Sequence, residues 1–243
     1  MKKLNKIYEG KAKILYETED PDYLIQYFKD DATAFDATKR GTILNKGICN
    51  NKISGRIFQY LEKERIPTHF KEMLDERQML VRRVEIIPVE VTVRNIVAGG
   101  MSKLLGLEEG IVLDSPVLEY HYKNDALHDP LINEYHIFAL KIATKNELSQ
   151  IDDFSFQIND LLREFFAKKG IDLVDFKLEF GRLVLSDKDS EQMGNIVLAD
   201  EISPDTCRLW EKNTGRKLDK DRFRRDLGKI EETYQEVAER ILS

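Results

Sequence analysis

Residues 173–181 read LVDFKLEFG, nine positions in which apolar and charged side chains alternate from Val174 onward. A period of two excludes an amphipathic helix and requires a strand, with Val174, Phe176, Leu178 and Phe180 on one face and Asp175, Lys177 and Glu179 on the other. Side chains two apart on a strand stand about 6–7 Å from one another, so an acid, a base and an acid line up above an apolar floor. Such a row suits a metal ion and phosphate, and it is equally the pattern of a solvated face of an antiparallel sheet. The choice rests on the rest of the chain.

A second alternating segment, IPVEVTVRN at 87–95, puts Val89, Val91 and Val93 inward and Glu90, Thr92 and Arg94 on the opposite face. Ala98, Gly99 and Gly100 follow, then MSKLLG with helical character. A strand that runs through a glycine turn into a helix start presents free backbone N–H groups, to which Arg94 adds a bidentate donor for carboxylate or phosphate. YEGKAK at 8–13 places Gly10 in a turn and projects Lys11 and Lys13 from one face, so that two cations converge on one anion, the means by which nucleotide phosphates are held. IVLADEISPDTCRLW sets Asp200 and Glu201 at the end of an apolar run, a placement that suits magnesium, with Arg208 in the same loop. KNDALHDP at 123–130 is a polar turn carrying Lys123 and Asp129.

The 243 residues are enough for one large domain or two lobes, and the net charge of -6 with interspersed signs excludes a general nucleic-acid binder. No run approaches the roughly 18 apolar residues of a membrane span, and the N-terminus lacks a signal-peptide core, so a cytoplasmic protein is expected. Cys49 and Cys207 are too few and too far apart for a disulfide framework or a structural zinc site, and the four histidines form no HExxH pair. Neither a GxxxxGK[ST] loop nor a GxGxxG fingerprint occurs, and no constellation suggests a covalent nucleophile. Lysine, arginine and carboxylate recur instead, the groups that position and neutralise in phosphoryl transfer.

The order of elements is mixed. Residues 4–37 read as short strands with IYEGKAKILYE as a hairpin, and a helix over 45–65 carries Ile53, Ile57, Phe58 and Leu61. MLVRRVEIIPVEVTVRN is extended, with Pro88 separating two pieces. Thr144 and Glu147 have capping-box spacing, a further helix runs over 152–169 and stops at Gly170, and a C-terminal helix bears Phe223, Leu227, Ile230, Tyr234, Val237 and Ile241. The LVDFKLEFG strand is followed by a partner strand over 182–185 and a polar loop, SDKDSEQMGN. A smaller sheet-rich N-terminal lobe joined near 80–88 to a larger α+β lobe is expected, with the ligand site in the cleft.

Taken in order, YEGKAK, DDATAFDA, PVEVTVRNIVAGG, KNDALHDP, LVDFKLEFG, ADEISPDTCRLW and DKDRFRRDLG resemble the SAICAR synthetase family over essentially the whole chain. The resemblance implies a SAICAR-synthase-like α+β fold, with a kinase-like antiparallel-sheet N-terminal lobe over 1–84 and a larger α+β lobe over 85–243. It also implies an ATP-dependent ligation of L-aspartate to the carboxylate of the imidazole nucleotide CAIR, through an acyl phosphate, giving SAICAR, ADP and phosphate in purine biosynthesis. ATP and Mg2+ would be required, and the protein would be a cytoplasmic homodimer that binds neither nucleic acid nor membrane.

By the same resemblance, Gly10, Lys11 and Lys13 belong to the ATP phosphate loop, and 80–84, with Val81, Arg82 and Val84, to the hinge against adenine. Glu179 and Asp200 would hold magnesium, assisted by Glu201. Arg94, Gly99, Gly100, Ser102, Asp175, Lys177 and Arg208 would bind CAIR, with Asp175 and Lys177 catalytic, and Lys123 and Asp129 would line the nucleotide or aspartate side. Two positions depart from the family pattern: the turn is AGG where AGS is usual, and Leu104 stands where arginine is frequent, with a backbone N–H at Gly100 or the nearby Ser102 as the expected substitute for the missing hydroxyl. A small-molecule kinase and a non-catalytic nucleotide-binding regulator are the competing readings; strict aspartate dependence of product formation separates the synthetase from the first, and ADP release from the second.

Overall fold

In the computed structural model, which describes residues 1–34, 39–184 and 196–243, two antiparallel sheets share one core. The chain runs β1 (Lys3–Glu9), β2 (Lys13–Thr18), β3 (Tyr23–Phe28), β4 (Asp31–Ala34), β5 (Lys39–Thr42), α1 (Lys46–Lys63), β6 (Phe70–Met73), β7 (Gln78–Arg82), β8 (Val84–Ile96), α2 (Gly99–Leu105), β9 (Val112–Tyr122), β10 (Leu131–Ile132), α3 (Glu134–Ala139), α4 (Lys145–Ala167), β11 (Ile171–Leu183), β12 (Ile196–Ala199), β13 (Cys207–Glu211), α5 (Asp221–Arg224) and α6 (Ile230–Leu242). The first sheet has the order β1-β2-β3-β7-β6; in the second, β10-β9-β8-β11, the far edge of β11 pairs with β13 along its first half and with β12 along its second. The SDKDSEQMGN loop and the tip of DDATAFDAT lie outside the described residues.

Alternation sets what each face meets. Phe176, Leu178 and Phe180 join α4, α1 and α6 in the continuous core, which also takes in Phe28 and Val81 of the first sheet. Val174 does not follow them. It packs with Ala98 and Trp210 on the other side, because a bulge between Leu173 and Asp175 turns two successive side chains the same way. Other expectations shift for similarly local reasons. The chain breaks between the sheets at Arg83, and β8 runs on through Pro88, which sits where the β8–β11 register slips and no ladder donor is called for. β11 likewise continues through Gly181 to Leu183, so 182–183 extend the strand rather than pair with it; a Cβ at Gly181 would lie 2.8 Å from Val84 Cβ. Thr144 and Glu147 do form a capping box, and they open one unbroken helix, α4. The C-terminal stripe is split: Asp226, Gly228 and Lys229 all have positive φ, which ends α5 and leaves Leu227 exposed before α6 begins.

The two sheets are stitched by a short parallel bridge, in which the His69 N–H donates to the Leu198 carbonyl at 2.8 Å and the Leu198 N–H to that of Pro67 at 2.9 Å. His69 is buried edge-on to Phe58, and burial pushes its pKa down to about 3. The unfolded chain takes up this proton below its ordinary 6.5, whereas the folded chain does not until about 3, so the contribution of His69 to stability is lost as pH falls through that window. Asp219 acts in the opposite sense: burial, then the charge of Asp221, push its carboxyl up to about 7, and its contribution is lost as pH rises from 3.8 through 7. The two offset each other in the intact protein. Urea midpoints of His69→Phe against the parent should therefore diverge below pH 6.5, the variant gaining about 1.4 kcal/mol per pH unit; parallel curves would show that His69 is not buried neutral.

Candidate active site

The polar face of the second sheet is a grid of charge set by strand register. Asp175 lies opposite Arg94 on β8 and Arg208 on β13, Lys177 opposite Thr92, and Glu179 opposite Glu90; one strand further, Thr92 faces Glu119 and Glu90 faces His121. Two clusters result. In the first, Lys177 Nζ donates to Glu179 at 2.5 Å and to Glu90 at 2.9 Å and lies 3.8 Å from Asp200, while Lys123 donates to the same Glu179 oxygen at 2.8 Å. Lys13 reaches across from the first sheet to Asp200 and, at 3.0 Å, to Glu201. Burial alone would lower the pKa of Lys13, but Asp200 and Glu201 outweigh it and hold the ammonium above the usual lysine value; Lys177 is held up in the same way by Glu179, Asp200 and Glu90. Asp200, which burial would raise, is held low by Lys13 and Lys177. Its backbone has φ 63°, a conformation non-glycine residues adopt at a cost, and Gln26 Nε2 from β3 donates to its carbonyl at 3.2 Å.

The second cluster is built on arginine. Asp175 accepts from Arg94 at 2.7 Å and from Arg208 at 2.8 and 3.1 Å; Arg94 grips Glu119 through Nε at 2.9 Å and Nη2 at 2.8 Å; and Arg208 Nε donates to Asp221 at 3.1 Å. Burial pushes Glu119 up, but His121 and Arg94 hold it down at about 2. The row Asp175, Lys177, Glu179 is thus divided: its first member belongs to the arginines, its last to the lysines, and Lys177 stands between. The face is not solvated, since Asp175 and Glu179 are 3% and 4% exposed.

The family profile of SAICAR synthetase matches residues 6–241. A phosphoribosylaminoimidazole-succinocarboxamide synthase from Coprothermobacter proteolyticus is 55% identical over 241 residues, 99% of each chain. The crystal structure of the Ehrlichia chaffeensis synthase superposes with a TM-score of 0.93 at 47% identity, covering 98% of each chain, and a SAICAR synthetase in complex with ADP with a TM-score of 0.89 at 48% identity, covering 96% of each. The chain belongs to the SAICAR synthetase family.

The remaining residues that the SAICAR synthetase resemblance singles out fall into four groups. Gly99 and Gly100 open α2 beneath the arginines. Gly99 has φ 55°, and a Cβ there would lie 2.3 Å from Arg208 Nη2; a Cβ on Gly100 would find only Arg94 Nη2, at an ordinary 3.7 Å. Ser102 is occupied, its hydroxyl donating to the Leu107 carbonyl at 2.7 Å, so it does not stand in for a hydroxyl at Gly100. Leu104 is exposed on α2. Lys11 and Lys13 do not converge: β2 begins at Lys13, and Lys11, still in the turn, pairs instead with Asp125 at 2.7 Å. Lys11 and Asp125 border a cleft of about 720 Å³ between the Gly10 turn and the β4–β5 hairpin. Val81 is buried in β7, Arg82 donates to the carbonyls of Thr68 and Phe70, and Val84 starts β8, so the 80–84 segment lies where the sheets meet. Asp129 closes its own loop, accepting from Asn124 N–H at 2.8 Å.

Sequence reading missed Glu90, Glu119, His121, Asp221 and Ser203 as members of the site. Alternation already put Glu90 on this face. Only register brings it beside Glu179 and Lys177.

Among the described residues no group of three or more His, Cys, Asp and Glu side chains gathers as a self-sufficient metal site. Glu179 and Asp200 both approach Lys177, and two carboxylates completed by phosphate oxygens are the donor set that suits magnesium. Glu201 Oε1 faces Lys13 and its Oε2 accepts from Ser203 at 2.5 Å, while the two oxygens of Asp200 face Lys13 and Lys177.

Proposed function

We propose that this chain ligates L-aspartate to the carboxylate of CAIR at the expense of ATP, giving SAICAR, ADP and phosphate. The observation that carries this reading is the adjacency of the two clusters, with Lys177 at their seam. ATP phosphates meet Lys13 of β2 and, separately, Lys11 of the Gly10 turn, with the 80–84 segment against adenine, so that residues 1–84 act as the nucleotide lobe and 85–243 carry CAIR. Arg94, Arg208, Asp175 and the Gly99–Gly100 turn receive CAIR, and Lys123 and Asp129 border the nucleotide and aspartate side. A bound magnesium ion, held by Glu179 and Asp200, would neutralise phosphate charge. Two anions, a carboxylate and the γ-phosphate, must be brought together, and Lys177 lies where their charge builds. Phosphorylation turns the carboxylate oxygen into a leaving group, and the aspartate amine displaces it as inorganic phosphate. Asp175 keeps Arg94 and Arg208 in register for the substrate.

No described helix is long and apolar enough to cross a membrane. A cytoplasmic homodimer is the further reading, supported by the mixed-charge composition and by the family pattern.

Leaving out ATP, magnesium, CAIR or aspartate in turn, and following ADP and amide together, tests the reaction. ADP and SAICAR in equal amounts only with everything present is the expected result; ADP formed at the same rate without aspartate would mark a kinase instead. Gly100→Ser tests the CAIR subsite. The Cβ fits, and a hydroxyl beside Arg94 adds about 0.5–1.5 kcal/mol to CAIR binding, lowering its KM about two- to tenfold. An unchanged or raised KM would remove Gly100 from that subsite.

A further inference from the structure

Ser203 touches neither lysine of the phosphate loop, yet its hydroxyl decides how one of them is held. Glu201 is 3% exposed and Ser203 1%. Ser203 Oγ donates to Glu201 Oε2 at 2.5 Å, and the other carboxylate oxygen lies 3.0 Å from Lys13 Nζ. The same Oγ accepts the Asp205 N–H at 3.1 Å, and the Ser203 N–H is taken by Thr206 Oγ1 at 3.1 Å, which leaves the hydroxyl proton committed to Glu201. Asp205 is anchored in turn by Lys46 of α1 at 2.7 Å and by the Tyr234 hydroxyl of α6 at 2.6 Å, and Ser54 Oγ of α1 donates to the Ile202 carbonyl at 3.1 Å. The loop is therefore fixed from behind by two helices, and its foremost hydroxyl sets the rotamer of a buried carboxylate through a charge-assisted bond.

We propose that Ser203 is a positioning residue for nucleotide binding, holding Glu201 so that one oxygen faces Lys13 and the ammonium stands where phosphates arrive. This rests on the reading of Lys13 as a phosphate ligand. Without the hydroxyl, Glu201 keeps a buried oxygen with no donor, turns to find one, and Lys13 loses a fixed partner.

Calorimetric titration with ADP, with and without magnesium, provides the test. Ser203→Ala is expected to weaken ADP binding about tenfold, the share of one hydrogen bond to a charged group. In a Glu201→Ala background the same substitution should change affinity by less than about twofold, because its effect passes through the carboxylate. Unchanged affinity in the single variant, or additive losses in the double, would overturn the proposal. Ser155→Ala removes another buried hydroxyl, one that donates to the Ile151 carbonyl at 2.6 Å within α4. It should leave ADP affinity alone, and a loss matching that of Ser203→Ala would reduce the effect to general destabilisation. Lys13→Met separates the two levels: undiminished ADP binding there would defeat the nucleotide reading itself, whereas weak binding there beside an unaffected Ser203→Ala would reject the Ser203 proposal alone.

Discussion

Lys177→Ala is expected to lower turnover by at least about 10³-fold, the scale on which removing one group that meets transition-state charge acts. The ammonium lies among Glu90, Glu179 and Asp200, between the cluster assigned to ATP and that assigned to CAIR, and among the described residues no other cation touches both Glu90 and Glu179 this closely. Lys123 would still hold Glu179, at 2.8 Å, so metal and nucleotide affinity should fall far less than kcat. Lys177 is not a free surface lysine, and its loss leaves carboxylates facing one another. A cost of about 1–2 kcal/mol in urea unfolding is expected, well short of unfolding the chain. Activity within tenfold of the parent, in a variant shown to be folded, would remove Lys177 from the reacting centre.

Gly99→Ala should lower kcat/KM for CAIR by about 10²-fold, the usual consequence of moving a substrate-positioning group by an ångström. Two costs coincide at this position. The φ of 55° disfavours any side chain, and the new methyl would sit 2.3 Å from Arg208 Nη2, so the guanidinium must leave the position from which its Nη1 donates to both Asp175 oxygens. The neighbouring Gly100 carries neither restriction, which makes the pair a sharp contrast: a methyl at 99 damages CAIR recognition, whereas a hydroxymethyl at 100 improves it. ADP affinity serves as the internal control, since Arg208 lies in the arginine cluster. Equal losses of ADP and CAIR binding in Gly99→Ala would show that the whole loop had moved rather than Arg208 alone.

What could be read in the sequence was whatever periodicity determines. The strands at 87–95 and 173–181, the charged residues on their shared face, the capping box at Thr144 and the turn at Gly10 are local patterns, and the structure keeps them. Pairings of residues far apart in the chain could not be read. Lys11 and Lys13 are neighbours that look like one anion site, yet the turn sends one to Asp125 and the other to Asp200, 187 residues away. A bulge reversed Val174 because bulges depend on the partner strand, and Pro88 broke no strand because the register slipped at that point. The functional assignments came from resemblance. Geometry then sorted them: it gave Glu201 to Lys13 and Ser203, gave Ser102 to its own helix end, and brought in Glu90, Glu119 and Asp221.

The most direct test of a site built to join a carboxylate to a phosphoryl group follows the oxygen. With CAIR carrying 18O in its carboxylate, incubation with ATP, magnesium and L-aspartate should place one 18O in each inorganic phosphate released and leave the other in the amide carbonyl. Unlabelled phosphate alongside normal SAICAR formation would mean that the carboxylate is never phosphorylated, and would contradict the assignment of Lys177 to the meeting point of the two anions.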